Sequence, residues 1–167
     1  MNKFEEIDDQ EMVTRSLVNA WVEEGVIAPT AFNLGDKETY LSVNRSAIAT
    51  YKEDLKDFSA KNHHPEFRYK DNPPKVRVAE LNVGKVRRIN FKKGNTKLDI
   101  CVSVIPRASH YKSHAGIYTK SNGVSLYPDR KVKIEPEKLG VSVDSVLQRL
   151  RIQLVNLAGL KEVIVQD

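Results

Sequence analysis

The stretch from residue 98 to residue 104 alternates apolar and polar side chains, and this alternation constrains the fold more than any other feature. Its apolar positions are Leu98, Ile100, Val102 and Val104. Since a strand points successive side chains to opposite faces, the pattern predicts a strand with one buried face, ended by Pro106. The segments 76–83, 86–91 and 115–119 are rich in β-branched residues and are predicted strands as well. Lys93-Gly94-Asn95 predicts a hairpin turn.

Three other segments carry apolar residues at helical spacing. The first, from Asp8 to Gly25, carries Val13, Leu17, Ala20 and Trp21 on one face. The second follows a short strand at 40–43, is capped by Asn44 or Ser46, and carries Ile48, Tyr51, Leu55 and Phe58. The third carries Val143, Leu147, Leu150, Leu154 and Leu157, and a last short strand follows at 163–165. The sequence therefore predicts an α+β fold, with a mostly antiparallel sheet and about three helices packed on it.

The chain has 167 residues, which is enough for one domain with a real hydrophobic core. Residues 59–75 show no sustained periodicity and are predicted to form a long surface loop. Neither side of this loop is long enough to build a good core alone. We therefore predict a single domain over residues 1–167, with an acidic first third, a basic strand-rich middle and a C-terminal helix and strand.

Charge is distributed unevenly along the chain, whose formal net charge is +5. Residues 1–60 hold 6 basic and 12 acidic side chains, whereas residues 61–138 hold 18 basic and 7 acidic ones. The basic middle could present a surface to phosphate groups or to an acidic protein. Alternatively, the acidic first third packs beside the middle and cancels much of its field.

The sequence also bears on where the protein works. Its first eleven residues are acidic, the reverse of a secretory signal peptide, and no apolar run is long enough to span a bilayer. The single cysteine, Cys101, cannot form an intramolecular disulfide and is interpreted as an inert core thiol. These features predict a cytoplasmic protein that does not associate with membranes.

Several short motifs occur in a recognisable order. They are Thr14-Arg15, Trp21, Phe32, Ser42-Val43-Asn44-Arg45, Val78-Ala79-Glu80-Leu81 and Ser113-His114-Ala115. Over about residues 10–120 the chain thereby resembles a diffuse set of small, largely uncharacterised bacterial proteins. It departs from them at Lys112-Ser113, where those proteins place a proline before the His-Ala dipeptide. The resemblance implies a bacterial origin and a role beside larger systems, and it carries over no activity.

A basic surface is the first candidate functional feature. Its residues are Lys85, Arg87, Arg88, Lys92 and Lys93, with Lys97 and Phe91 nearby. Such a central hairpin has the composition of a nucleic-acid surface, with cations for phosphates and one ring for a base. It also has the composition of an ordinary exposed hairpin.

A second candidate is the corner at Asn44 and Arg45. A helix start exposes unpaired backbone N–H groups, so an anion could bind there with Arg45 as its partner. The alternative is that Asn44 only caps the helix and Arg45 forms a surface ion pair. His114, at the entrance of a predicted strand, is either a catalytic acid or base beside Arg45 or a structural residue.

Metal and cofactor sites are not predicted. His110 and His114 have helical metal-ligand spacing, but no cysteine or carboxylate in the neighbouring sequence completes a ligand set. His63 and His64 are interpreted as solvated loop residues. No recognised nucleotide or nucleic-acid motif is present.

Three function hypotheses follow. The favoured one is a non-catalytic bacterial binding module that holds an anionic partner, either nucleic acid or an acidic protein surface, through the basic hairpin and the Asn44-Arg45 corner. The second is a small enzyme or toxin-like effector acting on a nucleotide or phosphorylated substrate, which requires His114 and Arg45 to line one pocket. The third is a structural adaptor for a larger protein. The oligomeric state does not follow from the sequence.

Overall fold

A computed structural model of the chain describes residues 6–33, 40–61, 75–89, 91–93, 96–98, 100–107, 110–121, 124–125 and 143–165. Its main element is a seven-stranded antiparallel sheet. The strands of this sheet are β1 (Met12–Ser16), β4 (Leu41–Arg45), β5 (Lys75–Asn82), β8 (Ile100–Pro106), β9 (His114–Ser121), β10 (Val124–Ser125) and β11 (Gly159–Ile164). The α+β prediction is therefore confirmed.

Three helices and two small hairpins complete the described architecture. The helices are α1 (Tyr51–Lys61), α2 (Val83–Arg87) and α3 (Val143–Leu157), with single 3₁₀ turns at Asn19–Trp21 and Pro29–Phe32. The hairpins pair β2 (Val22–Glu23) with β3 (Val26–Ile27), and β6 (Phe91–Lys93) with β7 (Thr96–Leu98). Each helix that the structure describes is too short or too polar to span a lipid bilayer.

The strands lie in the spatial order β8-β9-β4-β1-β5-β11. Beyond the end of β4, β10 pairs with the last part of β9. The register aligns Glu80, Thr14, Asn44 and His114 in one row across four strands. Because facing residues in an antiparallel sheet share a face, these four side chains project to the same side.

The opposite side of the sheet carries the larger apolar core. Core residues of the sheet include Val13, Val43, Leu81, Val104 and Ile117, all essentially inaccessible to solvent. Helix α3 contributes Leu150 and Leu154 and α2 contributes Val83 and Val86 to the same cluster. A smaller cluster on the row side joins Tyr51 and Leu55 of α1 to Val76, Val78 and Val163. The sheet is thus covered on one side by α2 and α3 and on part of the other by α1.

The predicted first helix is wrong, because residues 12–16 form β1 at the centre of the sheet. Val13 and Leu17 are four residues apart, so they share a face in a strand as well as in a helix. Arg15 lies between them on that face and is buried, and it donates hydrogen bonds to the carbonyls of Ala31, Asn33 and Ser42. These bonds attach the turn at Pro29–Phe32 to the sheet and explain why an arginine is tolerated there.

Two further predictions need correction. The strand expected over 86–91 does not form over 86–89, which hold the end of helix α2 and the turn after it, while Phe91 begins β6. The Asn82 side chain accepts a hydrogen bond from the Lys85 backbone N–H and caps this helical turn. Gly84 lies against Asp9, and a Cβ on Gly84 would stand only 3.0 Å from the Asp9 side chain. The helix expected to begin at Asn44 or Ser46 begins instead at Tyr51, while Asn44 remains within β4.

The remaining predicted elements are confirmed where the structure describes them. Helix α3 covers the predicted residues, β8 ends at Pro106, and the last strand is longer than expected at Gly159–Ile164. The hairpin around Gly94 is confirmed by the pairing of Phe91 with Leu98. The loop predicted over 59–75 is wrong at its two ends, because residues 59–61 belong to α1 and Lys75 begins β5. Residues 62–74, which include His63 and His64, lie outside the described residues.

A buried hydrogen-bond network holds α1 against β4 and the loop before β9. The Oδ2 atom of Asp54, in α1, accepts hydrogen bonds from the Ser113 backbone N–H at 3.0 Å and from the Ser113 hydroxyl at 2.6 Å. Asn44 donates from Nδ2 to Ser113 Oγ at 2.9 Å. All three residues are buried, so the network lies where an unpaired polar group is costly. It fixes the backbone at the residue just before His114.

Replacement of Asp54 tests this network. Asp54→Asn places an amide donor group where the carboxylate accepts hydrogen bonds, and we expect the free energy of unfolding to fall by roughly 2–3 kcal/mol. Asp57→Asn is the control, because Asp57 is an exposed residue of the same helix that accepts a hydrogen bond from the Tyr111 hydroxyl. Urea denaturation followed by circular dichroism measures both. Equal losses for the two variants would contradict the role of the buried carboxylate.

Candidate functional site

A cluster of polar and aromatic side chains lies on the row side of the sheet, over β4, β9 and the end of β8. We call it the tyrosine-arginine surface, and it consists of Tyr40, Ser42, Arg107, His114 and Tyr118. Each of the five is half-buried. Alternation along β4 and β9 places Ser42, His114 and Tyr118 on the side opposite the main core, so they emerge beside α1 and not beneath α2 or α3.

Gly116 makes room for this arrangement. It lies on β9 between His114 and Tyr118, and the Tyr40 ring occupies the space above it. A Cβ built on Gly116 would stand 2.6 Å from Tyr40 Cδ2 and 3.0 Å from Tyr118 Cε2. The Tyr40 ring centroid is therefore only 5.3 Å from that of Tyr118 and 5.8 Å from that of His114. Only glycine allows the three rings to gather at this point.

Arg107 stacks on this aromatic group. Its guanidinium carbon lies 4.7 Å from the Tyr40 ring centroid and 5.7 Å from the Tyr118 ring centroid. Its backbone N–H donates to the carbonyl of His114, which ties the end of β8 to the start of β9. A guanidinium over an aromatic ring makes a cation–π contact, and its fork of N–H donors matches a carboxylate or phosphate.

Two polar atoms of this surface have no hydrogen-bond partner among the described residues. Within the described part of the chain, Arg107 has no carboxylate partner, and its Nε atom is buried without a hydrogen-bond acceptor. The buried Tyr118 hydroxyl likewise has no hydrogen-bond partner there. Native proteins pair nearly all of their buried polar atoms. Four buried side-chain atoms of the described residues lack a hydrogen-bond partner there, and two of them, Arg107 Nε and the Tyr118 hydroxyl, belong to this surface.

His114 is mainly uncharged near neutral pH. Burial lowers its pKa below the ordinary value of 6.5, and the nearby positive charges of Arg107 and His110 lower the pKa further. Its Nε2 atom lies 3.2 Å from Ser42 Oγ, within hydrogen-bond distance. A neutral imidazole at this distance can exchange a hydrogen bond with the hydroxyl, while protonation would add a second positive charge beside Arg107.

The structure does not bring Arg45 and His114 together. Arg45 follows Asn44 in β4, and Asn44 pairs with His114, so Arg45 projects from the other side of the sheet. Its guanidinium pairs with Glu11, with Nε–Oε2 and Nη2–Oε1 distances of 2.9 Å and 2.6 Å. The hydrogen bond to Glu11 raises the Arg45 pKa. A pocket lined by both Arg45 and His114 does not form.

Asn44 and Arg45 also lack the helix start that was expected to supply backbone donors. Both belong to β4, and the Asn44 side-chain amide is committed to Ser113 inside the protein. The turn over residues 46–50 separates them from α1. The anion site predicted at this corner therefore lacks its geometric basis.

The basic residues predicted to form one hairpin surface are divided between two elements. Lys85, Arg87 and Arg88 lie in or just after α2, while Lys92 and Lys93 belong to β6. Arg87 is covered by the acidic N-terminal segment, since it forms an ion pair with Asp9, donates to the Ile7 carbonyl and lies 3.2 Å from the Glu6 carboxylate. The Lys92 and Lys93 side chains lie outside the described residues.

Lys85 and Arg88 remain exposed. The acidic first third thus neutralises part of the basic middle, as in the alternative interpretation of the charge pattern. Of the described residues, no three histidine, cysteine, aspartate or glutamate side chains stand together as a possible metal site. The Cys101 side chain lies outside the described residues.

Sequence reasoning found His114 but missed Tyr40, Arg107 and Tyr118. The signal that was available is the His114-Ala115-Gly116-Ile117-Tyr118 pattern, which alternates small or apolar residues with a histidine and a tyrosine. This alternation indicates a strand. It also places His114, Gly116 and Tyr118 on one face, where the two rings flank the glycine. Nothing in the sequence places Tyr40 above that glycine, because their pairing joins segments 76 residues apart.

Substitution of Gly116 tests the packing of the tyrosine-arginine surface. Gly116→Ala inserts a methyl group into the space of the Tyr40 ring, and we expect the free energy of unfolding to fall by about 1–3 kcal/mol. Gly159→Ala is the control, because nothing lies within 4 Å of a Cβ at that strand position. The control should change the free energy by no more than about 0.5 kcal/mol. Indistinguishable denaturation curves for the two variants would contradict the packing described above.

Comparison with known proteins adds no relative: no family model, curated protein or solved structure matches the chain.

Proposed function

We propose that the protein binds single-stranded nucleic acid at the tyrosine-arginine surface, with Arg107 holding a phosphate and the tyrosine rings contacting a base. The observation that carries the proposal is the Arg107 guanidinium, stacked on Tyr40 and lacking a carboxylate partner among the described residues. A stacked guanidinium with free donors beside aromatic rings is the combination by which proteins hold single strands.

Arg107 differs from the basic residues that form ion pairs within the described part of the chain. Arg45 and Arg87 pair with N-terminal carboxylates. Lys75 and Arg77 approach Glu162, and Lys161 lies 3.2 Å from Glu80. These cations already have intramolecular partners, so binding an external anion would cost them existing ion pairs. Arg107 has no such ion pair to lose among the described residues, so an external anion would be its gain alone.

The aromatic side chains favour a nucleic acid over an acidic protein. Three rings lie together beside Arg107. The Tyr40 ring centroid is 5.3 Å from that of Tyr118 and 5.8 Å from that of His114. A base stacked on a ring is worth about 1–3 kcal/mol, and carboxylate side chains have no ring that could gain this energy. The Ser42–His114 pair adds hydrogen-bonding groups that could contact the edge of a base or a sugar.

This proposal keeps an anionic partner, as the sequence suggested, and moves the binding residues from the basic hairpin to Arg107 and its neighbours. The enzyme hypothesis required Arg45 and His114 to share a pocket, and they project from opposite sides of the sheet. The enzyme hypothesis therefore lacks the shared pocket that it requires.

Replacement of Arg107 tests the proposed phosphate contact. Titration of fluorescein-labelled single-stranded DNA and RNA oligonucleotides, followed by fluorescence anisotropy, gives the Kd. We expect Arg107→Gln to weaken binding about tenfold or more, since it removes a charged contact and disturbs the ring stack. Arg88→Gln is the matched control, because Arg88 is an exposed arginine at the end of α2, against the other side of the sheet.

Three results would contradict the proposal. One is an unchanged Kd for Arg107→Gln, and another is a larger loss for Arg88→Gln, which would return the binding site to the basic α2 surface. The third is equal displacement of the oligonucleotide by polyglutamate at the same charge concentration, which would indicate an acidic protein partner instead.

The charge of His114 should make this binding depend on pH. A phosphate beside His114 favours the protonated imidazole, so we expect affinity to rise as pH falls from about 7.5 to about 5.5. His114→Gln should remove most of this rise while leaving binding at the higher pH within a few-fold of the wild type. Kd values at several pH values, by the same anisotropy assay, measure the effect. A rise that persists in His114→Gln would assign it to another group.

Protein stability should change in the opposite direction over this range. Because the folded state holds the His114 pKa below 6.5, the unfolded chain takes up the proton more readily. The free energy of unfolding contributed by this residue therefore falls as pH drops through 6.5 and on through the lower folded-state pKa. Circular dichroism at each pH confirms that the binding measurements refer to folded protein.

A further inference from the structure

Strand β11 forms one edge of the main sheet and pairs with β5 alone among the described strands. Five of its six residues are exposed, with only Val163 buried. An edge strand offers a row of unpaired backbone N–H and C=O groups to any strand that approaches it. In the strand order, β11 lies at one edge of the sheet, and β8 and the tyrosine-arginine surface lie near the other edge.

The edge also carries exposed apolar side chains. Among the described residues, four large apolar side chains are exposed, and three of them lie in α3 and β11: Ile152, Leu160 and Ile164. Leu160 is 39% exposed and Ile164 is 45% exposed. They are four residues apart in one strand, so they project to the same face. Exposed apolar residues beside an open edge favour pairing with another strand.

Charged residues usually protect such an edge, but here they are engaged within the chain. Lys161 Nζ lies 3.2 Å from Glu80 Oε2. Glu162 lies within 4.0 Å of Lys75 and 3.8 Å of Arg77, both on the neighbouring strand β5. Because Lys161 and Glu162 form ion pairs with residues of β5, their charges are partly neutralised. An incoming strand therefore meets less electrostatic repulsion and a smaller desolvation penalty.

We propose that β11 pairs antiparallel with β11 of a second copy of this chain, forming a symmetric dimer with one continuous sheet. In a two-fold antiparallel pair the axis passes between two copies of the same residue. An axis at Glu162 sets Leu160 opposite Ile164 of the second copy, and does so twice. An axis at Lys161 would set Leu160 opposite Glu162 of the second copy. An axis at Val163 would set Ile164 opposite that same glutamate.

The axis at Glu162 is thus the register that pairs the exposed apolar residues with each other. It brings the two Glu162 carboxylates to the same row, and the Lys75 and Arg77 cations of each copy offset their repulsion. The partner is a second copy because the strand is complementary to itself in this register. The proposal does not depend on nucleic-acid binding.

Sedimentation velocity of the 167-residue chain over a wide concentration range tests the dimer. We expect a reversible dimer for the wild type and a monomer for the double variant Leu160→Lys, Ile164→Lys. Val26→Lys is the matched control, because Val26 is 64% exposed in the β2–β3 hairpin, far from β11 in the sequence, and should leave the dimer intact. A monomeric wild type, or a dimer that survives the double lysine variant, would overturn the proposal.

A cysteine experiment tests the register without relying on the stability of the lysine variant. With Cys101 replaced by serine, Glu162→Cys places two thiols on the proposed axis, and mild oxidation should crosslink the dimer. Lys161→Cys, also exposed but on the opposite face and off the axis, should crosslink far less. Equal crosslinking yields for the two variants on non-reducing gels would refute this register.

Discussion

The buried carboxylate of Asp54 determines how helix α1 is placed against strand β4 and the start of β9. It accepts hydrogen bonds from both the backbone and the hydroxyl of Ser113, and Ser113 in turn accepts one from Asn44. Helix α1, strand β4 and the start of β9 are thereby joined at one point. Their sequence separation of up to 69 residues means that none of these contacts is local. The apolar core holds the sheet to its helices, but this network sets the position of the chain at His114.

That constraint explains why α1, among the described elements, covers only part of the row side of the sheet. Asp54 and Tyr51 hold α1 over β1 and β4, where Tyr51 shares a hydrogen bond of 2.7 Å with Thr14 and burial raises its pKa to about 12. Helix α1 is therefore drawn toward β5, away from the far end of β9. Beside it, the row side carries the rings and the guanidinium of the tyrosine-arginine surface. The half-burial of Tyr40 and Arg107 follows from the same geometry.

The sequence predicts an element correctly where its apolar residues fit only the strand period or only the helix period. Val102 and Val104 alternate with polar residues, and Leu150 and Leu154 recur at helical steps over fifteen residues. Val13 and Leu17 satisfy both periodicities, and packing decided between them: β1 pairs with strands on both edges, which an isolated pattern does not reveal. The candidate site was harder to predict, because Arg107 and Tyr40 acquire meaning only through the pairing of β9 with both β8 and β4.

The two proposals together have a geometric consequence. A two-fold axis perpendicular to the sheet keeps both copies of the tyrosine-arginine surface on the same side of the continuous sheet. Each copy has four strand spacings between β9 and β11, and the β11–β11 pair adds one more. At about 4.8 Å per spacing, the two surfaces would lie roughly 40 Å apart. Helix α1 of each copy stands between them, and a single oligonucleotide that bridges both must pass around these helices. Short oligonucleotides would then bind each surface independently, while longer ones would gain affinity from the linked second contact.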